Sequence, residues 1–351
     1  MRKTWVQFAM IVLLFAGGVP AGAFEVNDAH YHLTNYVQRG PTAKEMLDRM
    51  GTVVGRGVLF GLPVQQKWDY TVSGDQAPTY YLHSDAELYY YSFTDAIIAE
   101  EFRRLTPAEQ KRFDPMITGF NPTDMYAVDH IRRCLLMYPG VFSGIGEFSI
   151  NKEFVSAKIA GGVASLKNRA FDAILNVAAE TGLVVLLHSD ISSIISPLGD
   201  KPSYLDDLKQ AFKAHRDTTI IWAHTGLGRA VKPTKDHVRI IRGLLEDPEL
   251  SHVMVDISWD LVAQYVTQDE QSLRDWSVLI NDHADRFLFG SDAVAPKDQN
   301  AYLKTYRDYE PLWKNLNKAA VEKVKRTNYE RAFDASKKKV REWEKKQLAG
   351  K

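Results

Sequence analysis

An α/β fold of the (β/α)8 TIM-barrel class is predicted by three observations in this sequence of 351 residues. Eight short apolar runs occur along the chain, and amphipathic stretches separate them. Most of these runs lack polar alternation, as expected of parallel strands buried on both faces. No glycine-rich nucleotide loop follows the first run, which argues against an open doubly wound sheet.

The predicted strands are Glu25 to His30, Arg56 to Gly61, Pro115 to Phe120, Val141 to Gly146, Leu183 to Leu187, Thr219 to Ala223, His252 to Ile257 and Arg286 to Phe289. A helix is expected between the first two. Further helices are read at Pro122 to Tyr138, Ser165 to Thr181, Tyr204 to His215, Asp236 to Leu245 and Gln271 to Asp282. The second of these carries Leu166, Ala170, Ile174, Leu175 and Ala178 at helical spacing, and Gly182 stands where a C-cap glycine belongs. Two regions fall outside the repeat. Pro63 to Asp114 is a long insertion rich in aromatics, including Trp68 and Tyr90. It is either a lid over the C-terminal face of the barrel or a satellite packing cluster. As a lid, it would bring Trp68 and Tyr90 to the substrate. Asn328 to Lys346 reads as a packed terminal helix with Tyr329, Phe333, Val340 and Trp343 on one face.

At the N-terminus, Met1-Arg2-Lys3, the apolar run Met10 to Ala16 and Ala21-Gly22-Ala23 form the pattern of a secretory signal peptide. The apolar run is short for a membrane span. The expected organisation is a signal at residues 1–23 and one metal-dependent domain at 24–351, periplasmic or secreted, with no membrane anchor after cleavage. Formal net charge is zero. That balance does not point to nucleic acid or an anionic membrane as partner. A small-molecule substrate is the expected partner, and a homo-oligomer is left open. The single cysteine, Cys134, excludes an intramolecular disulfide and reads as a buried helix thiol without chemistry.

The chemistry concentrates at strand ends. His30 and His32 lie two residues apart, on one face of an extended strand. Glu147, His188, His224 and Asp292 each follow an apolar run. In a barrel these ends converge on one mouth, where active sites form. Imidazole and carboxylate together suit a zinc-like divalent ion. Each residue alone has an ordinary reading: a core histidine, a helix cap, a salt bridge. The joint occurrence is what points to a site. The other histidines, His83, His130, His215, His237, His252 and His283, fall away from strand ends and read as ordinary.

The motifs Asp28-Ala29-His30-Tyr31-His32, Gly144-Ile145-Gly146-Glu147, His188, Ala223-His224-Thr225-Gly226, Gly290-Ser291-Asp292 and Asn328 to Phe333 resemble the amidohydrolase superfamily. Within it the chain is similar to the amidohydrolase-related (amidohydrolase 2) group, which includes the aminocarboxymuconate-semialdehyde decarboxylase relatives. The resemblance implies a metal-dependent hydrolase binding one or two divalent ions, zinc first among them. His30, His32 and Asp292 would be ligands, and His188 and His224 further ligands or substrate-polarising groups. Glu147 stands where many binuclear members carry a carbamylated lysine, an arrangement similar to the TatD-type deoxyribonucleases. A divalent ion makes hydroxide available near neutrality, and Asp292 would shuttle the proton. Amide, ester, lactone and phosphoester substrates all remain open. Arg229 is a candidate for holding an anionic substrate group, against the alternative of a solvated loop arginine. The rival functions are a metal-dependent decarboxylase and a catalytically silent barrel used for binding.

Overall fold

The computed structural model describes residues 24–35, 38–62, 64–66, 74–75, 88–90, 93–152, 164–194 and 202–349. The expected signal peptide and Trp68 lie outside them, and so does the side chain of Tyr90. Eight parallel strands follow one another in chain order around the sheet: β1 (Val26–Asp28), β2 (Val54–Leu59), β3 (Phe113–Ile117), β4 (Gly144–Ser149), β5 (Val184–His188), β6 (Ile220–Trp222), β7 (Val253–Asp256) and β8 (Phe287–Leu288). The ends of the sheet meet. The Ala29 N–H donates to the Phe289 carbonyl at 3.0 Å, and a two-residue strand, Tyr31–His32, pairs in parallel with Ala293–Val294. The predicted (β/α)8 barrel is therefore present, and most predicted strands overlap the observed ones to within two residues at their ends.

The strands are buried because apolar side chains meet both the barrel interior and the surrounding helices. Val184, Val185, Leu186 and Leu187 are all within the core, as are Ile220, Ile221 and Trp222. Helix Arg169–Thr181 shows how the sequence places its ends. Asn168 caps it by accepting from the Ala170 N–H, and Gly182 closes it at φ 83°, a left-handed conformation that costs glycine nothing.

Three expectations need correction. The predicted insertion is too long at its C-terminal end. Thr94–Arg103 is a helix that buries Ile98, Ala99 and Phe102, and β3 already begins at Phe113. The regular βα alternation therefore resumes inside the stretch assigned to the insertion. Within the remainder, Val64–Gln66 pairs antiparallel with Leu88–Tyr90. The second correction is a helix at Asp260–Thr267, ahead of the expected one at Glu270–Asp282.

The third concerns β4, which continues through Glu147 rather than ending before it. Its pairing with β5 slips between Ile145 and Phe148. Gly146 permits the slip: it sits at φ 116°, and a Cβ there would collide with the Leu186 carbonyl oxygen.

The terminal helix, Asn328–Ala349, packs as expected, burying Tyr329, Phe333, Val340 and Trp343. It meets the starts of several strands. Tyr329 donates to Asp114 at 2.7 Å, Lys337 reaches the same carboxylate at 2.6 Å, and Ser336 Oγ accepts from the Val184 N–H at 3.3 Å. Asp114 also accepts from Arg56, with Nη2 at 2.9 Å and Nε at 3.2 Å. Among the described residues no helix is long and apolar enough to cross a membrane.

Candidate metal centre and active site

The barrel brings the six predicted residues to one place. His30 and His32 project from the segment after β1, Glu147 from β4, His188 from the end of β5, His224 from the turn after β6 and Asp292 from the turn after β8. Asp292 Oδ1 lies 3.4 Å from both His30 Nε2 and His32 Nε2, and Oδ2 lies 4.0 Å from His224 Nε2. Glu147 Oε2 lies 3.4 Å from His32 Nε2 and 3.8 Å from His30 Nε2, and Oε1 lies 3.6 Å from His224 Nε2. Two compact triads result, His30–His32–Asp292 and His30–Glu147–His224.

The outward nitrogens of these imidazoles are occupied. His30 Nδ1 is 3.0 Å from Asp256 Oδ2, and His32 Nδ1 is 3.1 Å from the Gly61 carbonyl oxygen. Both partners only accept, so both Nδ1 atoms carry the proton. Ser258 spends its O–H on Asp256 Oδ1 at 2.5 Å, so its oxygen, 2.8 Å from His224 Nδ1, accepts from that nitrogen. All three rings then turn Nε2 inward, toward two carboxylates, and each would offer a lone pair there once a metal displaces any proton it holds. His30 Nε2 is buried without a hydrogen-bond partner. Three imidazole nitrogens and two carboxylates converging in this way are a donor set that fits a divalent cation. Second partners that fix the histidine tautomer in this way are usual at metal sites.

His188 differs. Its Nδ1 is 2.8 Å from Glu147 Oε1 and its Nε2 is 3.2 Å from Asp190 Oδ1. A carboxylate therefore faces each ring nitrogen. The structure thus places His188 beside the cluster, in contact with both Glu147 and Asp190.

Electrostatics follow the same geometry. Burial disfavours charge on Glu147, but Lys152, 3.7 Å away, and His188, His224 and His30 hold its carboxyl well below the usual range. Burial opposes ionisation of Asp292 too, and His30, His32 and His224 outweigh it and keep its carboxyl low. Burial by itself would lower His30 and His32. The facing carboxylates, Asp292 foremost, raise both instead. His224 goes the other way: burial lowers it despite Glu147 and Asp292. Asp292 is 13 % exposed, against 5 % or less for the other five side chains, so the cluster opens toward solvent at Asp292.

The backbone is bent where the ligands leave the strands. His224, Thr225 and Asp292 have φ of 57°, 52° and 50°, a region non-glycine residues seldom enter. The Asp292 N–H is held by the His30 carbonyl at 2.7 Å. Asp28 anchors the same junction, accepting from the Ser291 N–H at 2.9 Å and the Ser291 hydroxyl at 2.6 Å.

A family comparison agrees with this geometry. Residues 28–335 match the amidohydrolase family model. The chain belongs to the amidohydrolase family. It is an enzyme of the amidohydrolase type, and members of the family typically bind a divalent metal. Solved structures share the fold at low identity. A probable 2-pyrone-4,6-dicarboxylic acid hydrolase from Acinetobacter baumannii, with citric acid bound, is 11 % identical, with TM-score 0.52, over 88 % of this chain and 99 % of that one. A putative 2-pyrone-4,6-dicarboxylic acid hydrolase from Pseudomonas putida is 13 % identical, with TM-score 0.52, over 89 % and 98 %. A 4-oxalomesaconate hydratase from Rhodopseudomonas palustris is 16 % identical, with TM-score 0.51, over 92 % and 99 %. No curated protein matches the chain.

Sequence reasoning missed four residues of this amidohydrolase site: Asp256, Ser258, Asp190 and Lys152. Asp256 was findable, since it closes β7 as His188 closes β5. Asp190 and Ser258 lie in loops, where no pattern marks them. Arg229 is exposed and sits over the Trp259 ring at 5.9 Å, and that ring lies 5.2 Å from His224.

Proposed function

We propose that this amidohydrolase is a hydrolase of small molecules that uses one zinc-like divalent ion. His30, His32, His224 and Asp292 would hold the ion, with Glu147 facing it. The observation that carries this reading is the convergence of three inward Nε2 atoms and two carboxylates within a few ångströms. One ion is favoured because both triads pivot on His30, whose Nδ1 is engaged by Asp256, and the remaining lone pair serves one metal. A divalent ion held there supplies Lewis-acid chemistry, lowering the pKa of water and polarising a carbonyl or phosphoryl oxygen.

The protein's own residues do the rest. Asp292, ionised and the most exposed of the cluster, accepts a proton from water and returns it to the leaving group, a contribution of about 10²–10⁴ in rate. His224 serves as a ligand rather than as a proton donor, because Ser258 holds its only proton on Nδ1. Glu147, braced by His188, balances charge and orients the neighbouring rings. Trp259 and Arg229 form one wall of the approach, and the guanidinium suits an anionic group on the substrate. The bond cleaved is an amide, ester, lactone or phosphoester. The signal pattern at residues 1–23 supports export to the periplasm or beyond.

The test is metal analysis of the purified protein together with a hydrolase substrate panel assayed with and without chelator, and with trace carbon dioxide release measured in parallel. The expected result is about one ion per chain and chelator-sensitive hydrolysis. Asp292→Asn should retain most of the metal and lose about 10²–10⁴ of the turnover. Carbon dioxide release without hydrolysis would replace this reading with a decarboxylase, and full activity in soluble Asp292→Asn would refute the proton role.

A further inference from the structure

A second cluster of ligand-type side chains lies outside the barrel mouth. Asp95 stands in the first turn of helix Thr94–Arg103. His130 and Cys134 stand one turn apart on helix Ala127–Met137, so they share a face. The three meet through single atoms. His130 Nε2 is 2.6 Å from Asp95 Oδ2, Cys134 Sγ is 3.4 Å from His130 Nε2, and Cys134 Sγ is 3.7 Å from Asp95 Oδ2. In a tetrahedral zinc site with ordinary bond lengths the corresponding ligand–ligand edges are roughly 3.3–3.6 Å. The two sulfur edges, at 3.4 and 3.7 Å, already lie within about 0.1 Å of that range. Only the Asp95–His130 edge must open, by about 0.7 Å on the same bond lengths.

The surroundings fit an ion better than a plain hydrogen-bonded pair. Both contacts converge on the same imidazole nitrogen, so the cluster is not a relay through the ring. Asp95 Oδ1 accepts from the Thr118 N–H at 2.8 Å, and the Gly119 N–H is shared between Oδ1 at 3.1 Å and Oδ2 at 3.0 Å, which holds the carboxylate with Oδ2 at the cluster. Gly119 keeps the approach clear. A Cβ there would lie 2.7 Å from Asp95 Oδ2 and 3.5 Å from His130 Nε2. Beside the cluster is a surface cavity of about 460 Å³ lined by Gly119, Asn121, Asp124, His130 and Arg133. It offers a route for an ion and room for a water ligand. Asp95 and Cys134 are buried and His130 is partly exposed, so the site is reached from the cavity side.

We propose that Asp95, His130 and Cys134 form a second metal site, for a borderline divalent ion such as zinc, with a water completing the tetrahedron. One carboxylate oxygen, one imidazole nitrogen and one thiolate make a donor set that selects zinc-like ions over magnesium or calcium. Without metal, burial first and then the Asp95 carboxylate push the Cys134 thiol upward and keep it protonated. Binding reverses this, since a coordinated thiol loses its proton to solvent. The ion would tie helix Thr94–Arg103, before β3, to helix Ala127–Met137, after it.

Cobalt(II) is the probe that reads this site alone. A cobalt–thiolate bond gives a near-ultraviolet charge-transfer band, and Cys134 is the one cysteine of the chain. The barrel-mouth centre offers only nitrogen and oxygen and does not contribute. Chelator-stripped protein titrated with Co²⁺ should develop the band with saturation at one equivalent per chain for this site. Cys134→Ser and His130→Ala should each lose it while the circular dichroism is kept. Gly119→Ala should weaken cobalt binding at the band by roughly tenfold or more, since a side chain then crowds two ligands. His32→Ala, which damages the other centre, should leave the band in place. The proposal is overturned if saturating Co²⁺ produces no thiolate band in folded wild-type protein. It is equally overturned if His130→Ala retains the band undiminished, for then the thiol alone is responsible.

Discussion

His237 gives the chain an acid sensitivity whose size follows from its surroundings. It opens helix His237–Leu245 and is buried against Trp276, with ring centroids 5.9 Å apart. Its ring makes one hydrogen bond, to the Thr225 backbone, and its Nε2 is buried without a partner. Protonating that nitrogen would place a charge and an unsatisfied N–H in the core. Burial accordingly lowers the imidazole from 6.5 to about 4 in the folded protein, and the Thr225 carbonyl only partly opposes it. The folded value lies below the unfolded one, so the unfolded chain takes up the proton first. Stability present above pH 6.5 is lost as pH falls toward 4, by about 3 kcal/mol in full and about 2.5 kcal/mol by pH 4.5. His237→Leu removes the titration and the bond to Thr225. The variant should be about 1 kcal/mol less stable than wild type at pH 7.5 and about 1.5 kcal/mol more stable at pH 4.5. Urea unfolding of both proteins at the two pH values, followed by tryptophan fluorescence, measures the crossover. Because other groups titrate equally in both proteins, they cancel in the difference. A wild-type-minus-variant difference that is the same at both pH values would refute the reasoning.

Four further outcomes follow from the geometry. Asp256→Asn should weaken metal binding by roughly 10–100-fold, measured against a competing chelator, because Asp256 sets the His30 tautomer; unchanged affinity would remove Asp256 from that role. Glu147→Gln should keep about one ion per chain by metal analysis, whereas a fall from two to one would show a bridged pair. Asp114→Ala should cost about 2–4 kcal/mol by urea unfolding, since half-buried Arg56 keeps only Asp334 and Tyr329 and Lys337 lose their acceptor; a cost below about 1 kcal/mol, the level of a surface pair, would mean the terminal helix docks without them. Intact mass of protein recovered from the exported fraction should correspond to a chain beginning at Phe24, and a retained Met1 there would exclude signal cleavage.

The fold and the ligand types were legible in the sequence because both are local. Val184 to Leu187 and Ile220 to Trp222 are continuous apolar runs, and each leads directly into a histidine. Gly182 marks a helix end by being glycine where the backbone is left-handed, whereas the slip at Gly146 appears only in the strand pairing. A parallel barrel then needs no further information to bring strand ends together, so His30, His32, Glu147, His224 and Asp292 converge as predicted. What each residue does there is a matter of pairing across the barrel, which local pattern does not encode. The sequence places His188 and His224 alike, each closing a strand. Only the tertiary structure separates them, because carboxylates face both nitrogens of one while Ser258 faces Nδ1 of the other. Asp256 lies 226 residues from His30, and no spacing rule links the two. Likewise Cys134 and His130 read as ordinary helix residues until Asp95, 39 residues before the cysteine, is folded against them. Residue type and local periodicity determined what this chain can ligate and where its strands lie. The direction of each lone pair depends on the atom that faces it, and folding alone supplies that atom.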